Sequence, residues 1–301
     1  LVSGGIITCY MIFKAKLKLE KIFLLVSLVL GISHMFLMPA YSTPDERVHF
    51  ATAYYYSNIL IGEEPVDEDG NVLVRNEDLL LNVENIRPSL GTYGLIADNI
   101  AESCKDDTMV SYDVEPGNAP FWSYLPQILG VSVARLLGLG NIMLLILGDI
   151  FALLTYIVCI YFAIRMIPFG KTTMLVIGLL PMSLETAASF SYDALVNALS
   201  LLFIGYVFKL AYEKNGAEVK DWIRLALIMF FLAPIKVVYV LLAFLCLLIP
   251  GQQRRKKWFG SGAVIAISGL SCLILRMANI VTLATASGAG SAGTAENTYT
   301  I

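Results

Sequence analysis

Charge is scarce in this chain. Of its 301 residues only 15% are Asp, Glu, Lys or Arg, against about 25% in an average soluble domain. Hydrophobic residues make up 57%, and the mean hydropathy is +0.72. Cysteine is also thin. There are five, and no two stand in a CxxC spacing. Only Cys104 lies in a polar segment; Cys9, Cys159, Cys246 and Cys272 are in or near apolar ones. Neither a disulfide framework nor a zinc knuckle is indicated. Basic residues are missing where acids are dense. Sixteen of the 24 acids but only four of the 21 basic residues fall between Tyr41 and Asn118. That sign excludes a nucleic-acid surface, so no nucleic-acid partner is expected.

What is present is a set of apolar runs of about 20 residues, the length that crosses a bilayer. The chain therefore reads as an all-α polytopic membrane protein, a single integral membrane domain over 1–301. Lys14, Lys16, Lys18 and Lys21 precede the first span. The positive-inside rule then puts the N-terminus in the cytoplasm and the acidic segment outside. Residues 1–13 are apolar but too short to span. The first span reads as Ile22 to about Ala40 and carries His34, more readily an interhelical hydrogen-bonding residue than a ligand. Residues 41–119 form a long outer loop. Short amphipathic pieces are expected near Leu79–Ile86 and Gly94–Ala101. The Asp67–Gly70 run reads as a solvated turn, because the remaining ligands of a calcium loop are absent.

Residues 120–139 make a poor span. Pro126, Gly130 and Arg135 interrupt them, and Phe121, Trp122 and Tyr124 suit a membrane interface. The next span, Ile142–Ile164, runs into Arg165 and Lys171, which belong inside. By that rule it starts outside, and 120–139 is expected to lie along the outer leaflet as a juxtamembrane helix; the alternative is that 120–139 crosses and the charge rule fails at Arg165. Lys171–Lys209 reads as a hairpin whose outer turn is LETAASFSYD. Residues 222–250 have basic residues at both ends. Either the chain turns back near Pro234–Lys236 as a re-entrant hairpin, or it forms one long kinked span. A last span covers about Trp258–Thr282. The chain starts at a leucine and ends in a small-residue stretch, from which residues are expected to be missing at the C-terminus.

Pro39–Asn58 organises the rest. Thr43 reads as a helix N-cap, Pro44 as the first helical position and Glu46 as the reciprocal acid of a capping box. A helix from Pro44 puts Asp45 and His49 on one face, with Glu46 beside them. First-turn acids also complement a helix dipole, and that plainer reading stands beside a functional one. The topology brings Ser191-Tyr192-Asp193 and Lys236 with Tyr239 to the same side. Each has a plain reading: Ser191 or Asp193 caps the helix from Ala194, Lys236 snorkels, and Asp149 hydrogen-bonds a neighbour. Together they suit an anionic, lipid-linked substrate, with the lysine drawing a phosphate and a carboxylate taking a proton.

Pro44-Asp45-Glu46 with His49, Tyr124 with Pro126, Leu180-Pro181-Met182, Ser191 with Asp193, and Lys236 with Tyr239 form a recurring pattern. It resembles a bacterial family of polytopic membrane proteins of unknown function, similar in layout to the GT-C glycosyltransferases. The resemblance covers roughly Ile22 to Pro250. It implies a GT-C-like helix bundle in the bacterial cytoplasmic membrane and transfer of a sugar from a polyprenyl-phosphate donor to a glycan, lipid or protein acceptor. It also implies catalytic roles for Asp45, Glu46 and Asp193, and substrate-binding roles for His49, Lys236, Tyr239, Ser191 and Tyr124. A divalent metal, Mg or Mn, is expected at Asp45 and His49. The chain departs from the family pattern at Gly148-Asp149, where an arginine commonly follows the glycine. A flippase or export component for lipid-linked saccharides, or a scaffold displaying an acidic loop, are the alternative functions.

Overall fold

Apolar runs of about the length that crosses a bilayer build the helices that organise the fold. The computed structural model describes residues 17–38, 43, 45–79, 89–214, 216–250 and 254–289. The stretch 1–13, Pro39–Ser42, Pro44, most of the piece after Leu79 and the tail from 290 lie outside the described residues. In chain order, α1 spans Leu19–Leu37 and α2 Glu46–Ile61. Then come β1 (Leu73–Arg75), α3 (Asn76–Leu79), α4 (Leu90–Asn99) and β2 (Met109–Ser111). A 3-10 turn at Phe121–Tyr124 leads into α5 (Leu125–Leu136), followed by α6 (Asn141–Met166), α7 (Lys171–Gly178), α8 (Pro181–Ala187) and α9 (Asp193–Phe208). Lys209–Glu213 adds a π-helical turn; α10 (Val219–Leu232), a 3-10 stretch at Val237–Leu248 and α11 (Arg254–Ala289) complete the chain.

Among the described residues, Leu19–Leu37, Asn141–Met166, Asp193–Glu213 and Lys257–Met277 are the four helical segments long and apolar enough to cross a membrane. The protein is an all-α polytopic membrane protein. At 1.5 Å per residue α6 is about 39 Å long, and α1, α5 and α9 pack along it. Small residues set these approaches. A Cβ on Gly130 of α5 would lie 2.8 Å from Gly148 Cα on α6. One on Gly205 of α9 would lie 2.9 Å from the Ala163 carbonyl oxygen. In lipid, where helices gain nothing by merely hiding apolar surface from each other, such close packing is what binds them.

Two segments differ from expectation. The arm after Lys171 is not one rising helix. It breaks at Leu179-Leu180, because Pro181 cannot donate to the previous turn, and α8 restarts with that proline in its first turn. Much of the expected LETAASFSYD turn is therefore helical, and the turn itself is 188–192. The 222–250 segment folds back on itself. Gly216 N–H donates to the Leu210 carbonyl at 3.0 Å, and a Cβ on Gly216 would lie 3.5 Å from the Pro250 carbonyl oxygen. Both ends thus sit at the C-terminal end of α9, while Lys236 reaches Asp193 at its N-terminal end, with 2.6 Å between Nζ and Oδ1. The returning limb is 3-10 rather than α. Twelve residues at about 2.0 Å each reach about 24 Å, more than the same residues would in an α-helix.

The acidic segment is ordered by buried polar bonds. β1 and β2 pair antiparallel, with Val74 opposite Val110. Arg75 Nε lies 2.8 Å from Asp78 Oδ2, and both side chains are buried. Tyr54 O–H donates to the same Asp78 oxygen at 2.8 Å, and Arg75 reaches the Leu139 carbonyl at 3.0 Å. A strand pair was not expected here, because three-residue strands leave almost no alternation to read. Asp67 makes the expected turn, accepting from Asp69 N–H at 3.0 Å and Asn71 N–H at 2.8 Å.

Candidate functional site

The start of α2 differs from the expected cap. The helix begins at Glu46, and Asp45 precedes it in the left-handed region at φ 60°. Only a few per cent of non-glycine residues adopt this conformation, and Asp is among the types that tolerate it best. Half of the capping box forms: Thr43 N–H donates to Glu46 Oε2 at 3.3 Å. The Thr43 hydroxyl donates to the same oxygen at 2.6 Å instead of capping a backbone N–H. The left-handed kink turns the two acids apart. Asp45 is exposed. Glu46 is buried and accepts from Phe190 N–H at 3.5 Å. Expecting Glu46 beside Asp45 and His49 is therefore incorrect: its carboxylate anchors the helix start to the 188–192 turn.

His49 is one helical turn after Asp45. Its Nδ1 lies 2.6 Å from the Tyr124 hydroxyl. Burial raises the Tyr124 phenol's affinity for its proton, so the bond joins a protonated phenol to the imidazole, and which of the two donates depends on the His49 tautomer. Burial also holds the His49 imidazolium below its usual pKa, opposed by Asp45 and Asp193 and reinforced by Lys236. All three charged groups are within electrostatic reach of the one ring. The Tyr192 ring stands edge-on to His49 at 5.0 Å and to Tyr124 at 5.7 Å. Lys236 sits 5.3 Å from the Tyr192 ring centroid.

Asp193 opens α9, and its N–H donates to Ser191 Oγ at 3.1 Å. Ser191 thus supports the helix start and positions the acid. The Lys236–Asp193 side chains are 39% and 34% exposed, so their ion pair is worth about 0–1 kcal/mol. It differs in kind from Arg75–Asp78, whose members are 5% and 0% exposed. An exposed pair this weak is free to exchange partners; a buried one is not. Tyr239 lies beside Lys236, which feels its phenol electrostatically, and packs into the α9–α10–α11 core.

Asp45, His49, Tyr124, Ser191, Asp193, Lys236 and Tyr239 thus meet at the N-terminal ends of α2 and α9. Tyr192 was named with its turn but given no role of its own; an aromatic ring in a polar turn was the available signal. Gln127, buried on α5 with Nε2 donating to the Ser191 carbonyl at 3.1 Å, was missed. Its signal was an amide inside an otherwise apolar run.

For the expected divalent metal, Asp45 and His49 supply two donors. Among the described residues no three His, Cys, Asp or Glu side chains group closely enough to hold an ion. His49 Nδ1 is already engaged by Tyr124, and the positive charge nearest Asp193 is the Lys236 ammonium.

Residues 28–300 match the family described as "Predicted membrane protein (DUF2142)". The chain belongs to that family. No curated protein and no solved structure matches it. Every site residue named above lies inside the DUF2142 match.

Proposed function

We propose that this DUF2142 protein is a GT-C-like glycosyltransferase. It takes a sugar from a polyprenyl-phosphate donor and passes it to a cell-envelope glycan, lipid or protein, at the outer face of the bacterial cytoplasmic membrane. The observation that carries this reading is the meeting of Asp45, Asp193 and Lys236 around His49, beside helices that cross a membrane. Ionisable groups gathered at the ends of membrane-length helices are candidates for a substrate site. The orientation follows from the basic collar, which puts the acidic segment outside.

Asp45 accepts the proton of the acceptor hydroxyl, and the freed oxygen attacks the anomeric carbon. The bond from that carbon to the donor phosphate oxygen breaks, and its electron pair goes onto the phosphate. Lys236 leaves Asp193 to meet the growing negative charge, where a cation counts most. His49, held by the Tyr124 hydroxyl, orients Asp45. Asp193 keeps Lys236 in place between turnovers. Glu46 holds the helix start and takes no part in the chemistry. No step runs through a metal.

The test uses protein reconstituted in liposomes with radiolabelled polyprenyl-phosphate sugars and a cell-envelope extract as acceptor. Asp45→Asn is expected to lower transfer by about 10²–10⁴-fold, the usual contribution of a general base. Full transfer by a folded Asp45→Asn protein overturns the assignment. Movement of labelled lipid across the bilayer without transfer assigns the site to a flippase instead.

A further inference from the structure

Directly behind this site, three elements meet at Phe190-Ser191. From α2, Glu46 accepts from Phe190 N–H. From α5, Gln127 donates to the Ser191 carbonyl. From α6, Gly148 lies against the Phe190 ring so closely that a Cβ there has no room. Gly130, one turn after Gln127, meets the backbone of Leu147 and Gly148. Asp149 follows Gly148 and is 8% exposed, and Glu46 is the charged group that acts on it.

Two buried oxygens in this shell have no hydrogen-bond partner among the described residues: Asp149 Oδ1 and Gln127 Oε1. Gln127 is 1% exposed. A carboxylate or amide oxygen left bare inside a protein is destabilising, and more so when charged. The Gln127 carbonyl oxygen and an ionised Asp149 are both acceptors, so while Asp149 is ionised neither satisfies the other. The shell supplies two carboxylates and an amide oxygen, with no histidine or cysteine. Oxygen-only donor sets suit hard cations, and an amide oxygen beside carboxylates is a common ligand type for them.

We propose that Glu46, Asp149 and Gln127 form a buried binding site for one small hard cation, an alkali or alkaline-earth ion. Glu46 and Asp149 supply the charge and Gln127 a neutral oxygen. Glu46 bonds to Thr43 and Phe190 while also belonging to this shell, so the ion ties the start of α2 to α6 and to the 188–192 turn. It would hold Asp45 and Asp193 in register without touching either. This site is separate from Asp45 and His49, and it does not rest on the proposed transferase activity.

The experiment is direct ion binding to the purified full chain in nanodiscs at neutral pH, with ²²Na⁺ and ⁴⁵Ca²⁺ as separate probes in choline buffer. One of the two ions should bind saturably at one per chain, and which one binds assigns the class. Asp149→Asn is expected to abolish that binding while the helical circular dichroism stays unchanged. If Asp149→Asn does not fold, Gln127→Met carries the test; losing one oxygen ligand weakens affinity by about tenfold or more. Saturable binding that both variants retain overturns the proposal. So does the absence of saturable binding of either ion, which would mean that Asp149 holds a proton instead.

Discussion

His49 is the residue through which the site's charges act on one another. Its neutral form is favoured by burial, which gives a pH dependence with a definite sign. Unfolded, the ring takes up a proton as the pH falls through its usual value of 6.5. Folded, it resists protonation until lower pH. The unfolded state then binds more protons, so this contribution is complete above pH 6.5 and is lost as the pH falls from there through the lowered folded value. Thermal melts from pH 7.5 to 5 should show a fall that His49→Gln flattens. The other residue-scale prediction concerns Asp78. It is fully buried between Arg75 and Tyr54. Removing one member of a buried pair strands the other, at about 3–5 kcal/mol. Arg75→Met should lower the unfolding free energy by about that much, whereas Asp193→Asn, from a half-exposed pair, should change it by under about 1 kcal/mol. Equal effects of the two would mean that the contrast in burial has been misread.

Among the elements, the closest approach that sets the site is α5 on α6. Gly130 faces the backbone of Leu147 and Gly148, which cannot swing aside as a side-chain tip can. Gly130→Ala should therefore force the helices apart and cost about 1–3 kcal/mol, the usual price of overpacking. Gly262, with nothing within 4 Å of an added Cβ, is the matched control, and Ala there should be neutral or slightly stabilising. The same displacement would carry Tyr124, which immediately precedes α5, away from His49. Gly130→Ala is thus expected to weaken transfer as well as stability. Denaturant unfolding in detergent together with the transfer assay measures both.

For the whole molecule, the arrangement predicts sidedness. Lys209, Lys214 and Lys220 lie at the end of the bundle opposite Asp193 and Lys236, in keeping with a charge-sorted topology. Cys104 and Cys159 are both partly buried, Cys104 in the acidic segment and Cys159 on the membrane-length helix α6, while Cys246 and Cys272 are buried. A membrane-impermeant maleimide added to intact cells should label Cys104, and Cys104→Ser should abolish the signal. Labelling that appears only after the cells are opened would place the acidic segment inside and remove the outer-face reading.

The sequence alone determined the class of the protein and the positions of its longest apolar helices. Apolar runs of bilayer length leave few options, because a backbone in lipid must satisfy its own hydrogen bonds. The expected Ile142–Ile164 span falls on a helix, Asn141–Met166, that is long and apolar enough to cross a membrane for that reason. Polar residues in turns could be named from the sequence, since they interrupt those runs. Only the tertiary structure decided how they group. The left-handed kink at Asp45 sends Glu46 inward, and that depends on Phe190, 144 residues away. Tyr192 becomes the hub between His49, Tyr124 and Lys236 because α2, α9 and the turn at Lys236 end at the same level. The 222–250 segment could be read as one limb or two, because proline and lysine allow either. What selects two limbs is packing: the Lys236–Asp193 pair at one end, and Gly216 against Leu210 and Pro250 at the other.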